Sequence, residues 1–264
     1  MMRVVQHFTD SNLRNFSYFV IGEQGNAFIF DPWDGQECLD IVQREGALVK
    51  GVINTHEHWD HTRGNELIVK KTQCPVYAHP RAQGKVAEAD VFLEDGDFIQ
   101  VDSQSKLIAV DTPGHTMAHL CLLLEHQGRI EAIFTGDTLF NAGVGNCHNG
   151  GDPEVLFETI EKKFKPLEDH IKIYPGHEYL GNNLGFTLNY EPQNDEATQW
   201  LQKYKEIDWK NSPVTTTIKD EKEINLFFRL ESEDLKESLA QNGEGKLSNR
   251  KEVFLTLRQL RNKW

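Results

Sequence analysis

Short apolar runs separated by polar breaks fill the first part of the chain. Residues 2–8, 16–21 and 26–31 run or alternate apolar, and Gly22-Glu23-Gln24-Gly25 separates the last two. This pattern predicts an antiparallel meander that closes at Asp31-Pro32. Cys38, Ile41 and Val42 then recur at helical spacing over 35–45, with Gly46 as the stop. A buried strand is expected over 48–53 and a helix over roughly 64–71. Shorter strands are expected at 75–78, 97–101, 106–110, 119–124 and 130–135. At Asp152-Pro153 the period becomes helical, with Val155, Leu156, Ile160 and Phe164 as the buried stripe. One more strand, 171–174, breaks at Pro175-Gly176. Beyond about residue 180 only helical periods remain, near 194–207, 232–241 and 248–262. Strands first and helices last, with helices interleaved, predict an α/β (α+β) core carrying a helical annex.

Composition narrows the function classes. A chain of 264 residues with 38% hydrophobic and 26% charged residues suits one large domain, or a medium one with an appendage. No stretch approaches the roughly 18–20 apolar residues of a membrane span, so no membrane partner is expected. Met1 to Asp10 holds one arginine and no long apolar core, unlike a secretory signal. Cys38, Cys74, Cys121 and Cys147 are scattered without a C-x-x-C pair. A reducing compartment, the cytoplasm, is therefore expected, with Cys38, Cys74 and Cys121 as small core residues. A net charge of −13 argues against a nucleic-acid partner, which leaves a basic footprint. An anionic small molecule held by one local basic cluster remains compatible, and a monomer is expected.

The densest chemistry lies at Asn54-Thr55-His56-Glu57-His58-Trp59-Asp60-His61, where the strand 48–53 exits into a loop. Imidazole nitrogens and carboxylate oxygens are ligands for zinc, iron and manganese, and a loop at a strand end can turn several toward one point. The metalloprotease helix H-E-x-x-H is excluded, because position 60 holds Asp60. Three later stretches share one grammar, a strand, a small-residue turn and a metal-capable side chain. They end at His115 (after Thr112-Pro113-Gly114), Asp137 (after Thr135-Gly136) and His177 (after Pro175-Gly176). Glycine beside the ligand permits a tight turn and close backbone approach. The candidates His56, His58, Asp60, His61, His115, Asp137 and His177 are too many for one tetrahedral zinc. They suit two cations sharing a carboxylate, an arrangement used in hydrolysis.

These residues resemble the metallo-β-lactamase superfamily, and more narrowly the glyoxalase II or hydroxyacylglutathione hydrolase family. Gly136-Asp137-Thr138-Leu139-Phe140-Asn141-Ala142-Gly143-Val144-Gly145 is similar to that family's G-D-T-L-F-x-A-G-C-G. So is Tyr174-Pro175-Gly176-His177-Glu178-Tyr179, followed by Asn182-Asn183-Leu184, to its Y-x-G-H-E-Y-x-x-N-N-L. Leu257-Arg258-Gln259-Leu260-Arg261 resembles its C-terminal L-R-x-x-K. The resemblance implies a four-layer αββα sandwich over residues 1–177 and a helical, glutathione-binding domain over 178–264. It implies His56, His58 and His115 on one metal, Asp60, His61 and His177 on a second, and Asp137 bridging both. Asp60 and Asp137 become the catalytic carboxylates. The two divalent ions are expected to be zinc, with iron or manganese accepted by the same donors. The implied reaction is hydrolysis of S-(2-hydroxyacyl)glutathione, with S-lactoylglutathione as the leading substrate, by a bridging water brought to hydroxide. No protein nucleophile is required.

The chain departs from the family at four places, one of them Arg261 in place of the tail lysine, which keeps the positive charge. Glu57 replaces a histidine and is expected to be solvated or to lie outside the ligand set. Val144 replaces a cysteine. Asn146 and His148 stand where Lys or Arg and Tyr usually grip glutathione, so the wall formed with Tyr179, Arg258 and Arg261 is altered on one side. Losing a charge-assisted contact there costs about 1.5–3 kcal/mol when buried, which leaves a different carrier thiol open. Arg258 and Arg261 also admit a plain reading as solvated charges. His119 is expected to be packed beside the ligands, and His7, His79, His126 and His170 to be ordinary surface or loop positions. Cys147 has no evident partner as a nucleophile. Alternatives are a mononuclear-iron persulfide dioxygenase of the same fold, an RNA-processing nuclease disfavoured by the charge, and a non-catalytic scaffold.

Overall fold

A computed structural model describes residues 2–264. The opening meander is β1 (Arg3–Phe8), β2 (Phe16–Ile21) and β3 (Asn26–Phe30), antiparallel throughout. Helix α1 (Gly35–Arg44), capped by the Asp34 carboxylate on Glu37 N, returns the chain to β4 (Leu48–Ile53), parallel to β3. After α2 (Trp59–Thr62) and α3 (Asn65–Thr72), β5 (Val76–Ala78) and β6 (Val91–Phe92) add in parallel. The first sheet thus follows chain order from β1 to β6. Next come β7 (Phe98–Gln100), β8 (Ser105–Asp111), β9 (Leu120–His126) and β10 (Arg129–Gly136). A two-strand ribbon, β11 (Leu139–Phe140) with β12 (Gly143–Val144), precedes α4 (Pro153–Thr159) and β13 (Lys172–Pro175). The second sheet has the order β13-β10-β9-β8-β7.

Side-chain alternation explains the layers. Every residue of β2 is buried, because both faces are covered. Phe16, Tyr18 and Val20 face the second sheet and meet Leu107, Leu122, Ala132 and Phe134. Phe19 and Ile21 point the other way, onto Cys38, Ile41 and Val42 of α1 and Ile68 of α3. On the far side, Ile133 turns outward from β10 to Leu156, Ile160 and Phe164. Phe134 stacks between Phe30 (4.1 Å) and Tyr174 (5.1 Å) and locks the two sheets face to face. The result is helix, sheet, sheet, helix, the metallo-β-lactamase architecture.

Strand direction gathers the chemistry. β8 and β10 each run antiparallel to β9, so they share one direction, and β13 is parallel to β10. All three therefore end at the same edge, and His115, Asp137 and His177 follow those ends directly. The loop after β4 reaches the same edge, where Leu120 N donates to Thr55 O at 2.7 Å. Open α/β sheets place ligands beyond the carboxyl ends of their strands.

Helices α5 (Leu180–Tyr190), α6 (Asp195–Tyr204), α7 (Ile218–Ile224), α8 (Glu233–Leu239) and α9 (Arg250–Arg261) complete the chain. The expected strands lie within two residues of the sequence reading, but the two-residue strands β6, β11 and β12 and the helices α5 and α7 were not anticipated. Helix α5 contains two glycines and three asparagines, weak helix formers. It holds through buried Leu180, Leu184 and Phe186 instead. Helix α7 has apolar residues only at its two ends, Ile218 and Ile224, too few for a period. Phe186, Phe227, Phe254 and Leu257 join one core with Ile133, Leu139 and Ile173 of the sheet side.

A buried carboxylate stitches the β11–β12 ribbon to α7. Glu221 accepts from Ala142 N (3.0 Å), Thr216 Oγ1 (2.5 Å) and Asn225 Nδ2 (2.7 Å), and Asn225 also donates to Gly143 O. Burial outweighs these donors and pushes its pKa up to about 7. An acid whose folded pKa exceeds its unfolded value holds its proton better when folded, so stability falls as pH rises from about 4.5 to about 7. That fall is roughly 3 kcal/mol for one group. In urea unfolding at a series of pH values, Glu221→Gln is expected to remove most of this slope. An unchanged slope would contradict the assignment.

Candidate metal centre

Local sequence dictates how the loop after β4 presents its ligands. His58 ends the extended segment, and Trp59 to Thr62 form a single helical turn that swings Asp60 and His61 inward while Trp59 stays exposed. Two glycines let the other strand ends approach. Gly136 has φ of +45°, and a Cβ there would sit 2.5 Å from Thr55 Oγ1. A Cβ on Gly176 would collide with Asp137 Oδ1.

All seven predicted ligands converge. His56 Nε2 and His115 Nε2 lie 3.0 and 3.1 Å from His58 Nδ1. His61 Nε2 and His177 Nε2 are 3.2 Å apart, and each lies 3.3–3.4 Å from Asp60 Oδ2. Asp137 sits between the two trios, with Oδ1 3.5 Å from His61 Nε2 and Oδ2 3.5 and 3.3 Å from His115 and His177. With zinc–nitrogen bonds of 2.0–2.1 Å, the edge of a ligand tetrahedron is about 3.3 Å. The separations match that edge.

Outer hydrogen bonds decide what each ring offers inward. His56 Nδ1 meets Thr55 Oγ1 (3.0 Å), and His61 Nδ1 meets Asp31 Oδ2 (3.0 Å). His115 Nδ1 donates to Asn146 O (2.6 Å), His177 Nδ1 to Leu13 O (2.8 Å) and His58 Nε2 to Asn149 O (3.3 Å). With these nitrogens as donors, the facing nitrogens carry lone pairs toward the centre. Asp137 Oδ1 is buried and has no hydrogen-bond partner. Lone pairs and an orphaned carboxylate oxygen crowded together fit cations.

Protonation follows the same geometry. Burial and neighbouring imidazoles hold His56 and His115 below the usual histidine range. Burial opposes charge on His61 too, but Asp137 and Asp31 win and raise its pKa well above 6.5. Asp137 and Asp60 are lowered despite burial, by His177 and His61 for the first and by His61 and Asn15 for the second. Asn15 Nδ2 donates to Asp60 Oδ2 at 2.9 Å.

Several residues were missed or misread from sequence. Asp31, Leu13 and Asn15 act beside the candidate ligands, although the sequence marks Asp31-Pro32 only as a strand end. Asp31 sits at φ of +46°, and its carboxylate also takes Thr55 N and Oγ1. His119 is fully buried and accepts from Asp137 N (3.2 Å), so it holds the Asp137 backbone from behind. Glu57 turns away and takes Thr116 Oγ1 and Lys85 Nζ. His79, expected as a plain loop residue, is instead buried against Asp111 at 3.1 Å, and its ring caps the 3-10 turn Pro80–Ala82 by accepting from Arg81 N (2.9 Å). Cys38, Cys74 and Cys121 are core residues, and burial pushes the half-buried Cys147 thiol up to about 11.

Beside the ligands lies a cavity of about 320 Å³ lined by Asn146, His148, Tyr179, Arg258 and Arg261, together with Phe140 and Asn183. Tyr179 stacks on His177 (5.1 Å, 1°), so the cavity abuts the second trio. Neither arginine is a freely solvated charge. Arg258 is 5% exposed and bonds Val144 O and Gly145 O, because α9 packs directly on the ribbon. Arg261 rests on Asn183 Oδ1 at 3.0 Å.

The description "Metallo-beta-lactamase superfamily" matches residues 12–177, and "Hydroxyacylglutathione hydrolase C-terminus" matches 178–264. A hydroxyacylglutathione hydrolase of Nitrosococcus oceani is 44% identical over 266 residues, covering 100% of both chains. The chain belongs to the hydroxyacylglutathione hydrolase family. A relative from Arabidopsis thaliana named cytoplasmic hydroxyacylglutathione hydrolase is 31% identical over 94% of this chain and 93% of its own. Among solved structures, ETHE1 from Myxococcus xanthus shares the fold with a TM-score of 0.66 at 23% identity, covering 99% of this chain and 98% of its own. The described residues contain no helix long and apolar enough to cross a membrane.

Imidazole binds a cation only unprotonated, whereas Asp137 and Asp31 favour a proton on His61. Affinity is therefore expected to fall as pH is lowered, with protons released on binding. Calorimetric titration with zinc in buffers of different ionisation enthalpy reads their number. A release of zero would contradict the arrangement.

Proposed function

We propose that the protein hydrolyses S-(2-hydroxyacyl)glutathione thioesters, S-lactoylglutathione foremost, at a centre of two divalent cations. The observation that carries this reading is the pair of candidate ligand trios flanking one buried carboxylate, Asp137, whose Oδ1 has no hydrogen-bond partner. Residues 1–177 would hold the cations and 178–264 most of the thiol carrier. His56, His58 and His115 form one ligand set, Asp60, His61 and His177 the other, with Asp137 shared. Zinc fits the nitrogen-rich donors best, and iron or manganese fits the same set. Cations bound there supply a Lewis acid for the thioester carbonyl and bring a water's pKa toward neutrality.

The chain's own residues do the rest. Asp60 and Asp137 are the carboxylates beside the reacting water, and Asn15 and His119 keep them in place. Tyr179, Arg261, His148 and Asn146 line the wall for the carrier, with Arg261 as the cation for a glutathione carboxylate. A thiol of pKa near 8.5 leaves as thiolate without a strong general acid. The complete second trio favours this chemistry over an oxygen-consuming reaction at a single iron. Free cysteines and the Arabidopsis relative's name support a cytoplasmic setting.

Steady-state hydrolysis of S-lactoylglutathione by the zinc-loaded protein tests the proposal. Asp137→Ala and His58→Ala are each expected to cost more than the 10–100-fold typical of outer partners in kcat/KM. A lactoyl thioester of coenzyme A is expected to be turned over at least tenfold less efficiently, given the loss of roughly one charge-assisted contact. Undiminished turnover in either variant, or equal efficiency on both thioesters, would contradict it.

A further inference from the structure

Two loops far apart in sequence supply outer partners to the two trios. Asp60 and His177 are held by Asn15 and the Leu13 carbonyl, on the loop before β2. His115 and His58 are held by the Asn146 and Asn149 carbonyls, on the loop after β12. That second loop is itself anchored from α9. Arg258 Nη1 donates to Val144 O at 2.9 Å and Gly145 O at 3.0 Å, the two carbonyls just before Asn146. Its Nη2 donates to Asn262 Oδ1 at 2.9 Å, while Nε is buried with no acceptor.

Among the described residues Arg258 forms no ion pair with a carboxylate. A buried guanidinium without one is costly, so its use here calls for something an apolar side chain could not provide. A rigid planar fork that spans two consecutive carbonyls does so. Arg261, three residues on, lines the same cavity, but among the described residues its guanidinium hydrogen-bonds Asn183 and none of the loop carbonyls.

We propose that Arg258 is a positioning residue for the first ligand trio. It fixes the 144–146 backbone so that the Asn146 carbonyl keeps His115 Nδ1 protonated and Nε2 turned inward. This rests on the dinuclear reading above and adds a role to it. A carrier thiol filling the cavity packs against the same Arg258 and Asn146, so carrier binding and cation binding at this trio are coupled, and reciprocally so.

Cation affinity of the full chain, measured by chelator competition with cobalt(II) as spectroscopic probe and no thioester present, tests the proposal. Arg258→Gln is expected to weaken one site about tenfold and to alter the visible cobalt bands of that site alone. Asn15→Ala is expected to weaken the other site. Arg261→Gln is expected to change neither affinity and to raise only KM for S-lactoylglutathione. Arg258→Lys, which keeps the charge and a donor, recovers part of the loss. Wild-type affinities and bands in Arg258→Gln, with KM raised as in Arg261→Gln, would overturn the proposal. Equal weakening of both sites by Arg258→Gln and by Asn15→Ala would overturn it as well, since that is general softening. If Arg258→Gln does not fold, the wild-type chain decides. Free glutathione tightening one cobalt site several-fold supports the coupling, and no change overturns it. Failure of the wild-type chain to bind any cation is a separate result, seen before any variant is compared, and ends the dinuclear reading itself.

Discussion

Five imidazoles are turned lone-pair inward by acceptors on their far nitrogens, and two carboxylates face them with one oxygen, Asp137 Oδ1, left without a donor. Buried groups of this kind repel one another and cost free energy unless something positive sits between them. A proton on His61 relieves part of the conflict, and two cations relieve all of it. Much of the fold can be understood as the means of holding this otherwise unfavourable cluster together.

The sandwich supplies the means. Two antiparallel steps give β8 and β10 one direction and β13 joins them, so three ligand-bearing turns leave the second sheet at one edge. The first sheet delivers the fourth turn, and the Phe30–Phe134–Tyr174 stack fixes the spacing between sheets. Glycines at 136 and 176 remove the side chains that would keep the turns apart. The C-terminal helices then close the edge from outside. They share their core with the second sheet and reach the ligands through the 139–149 segment. The cavity lined by Tyr179, Arg258 and Arg261 and the His/Asp cluster are therefore two sides of one loop.

The ligand hexamer was legible because its members are neighbours in sequence and need no tertiary information to be seen together. His115, Asp137 and His177 were legible as a repeated strand–turn–ligand grammar, whose convergence only the sheet topology explains. What stayed hidden was set by packing. Helix α5 carries asparagines and glycines where a period would show, and β11 and β12 are two residues each. Leu13 acts through a backbone carbonyl, which no side-chain pattern reports. His79 looked like a surface group because histidine usually is, and nothing in the tail pattern shows that Arg258 is anchored on backbone carbonyls; each is buried by a specific partner. Asp31 offered one available signal, a carboxylate at a strand end just ahead of the histidine loop's own strand.

Anomalous diffraction from crystals of the protein as purified, collected at the zinc, iron and manganese edges, tests the central claim most directly. The account predicts two peaks per chain, one among His56, His58 and His115 and one among Asp60, His61 and His177, both beside Asp137. A single peak, or none, would contradict it.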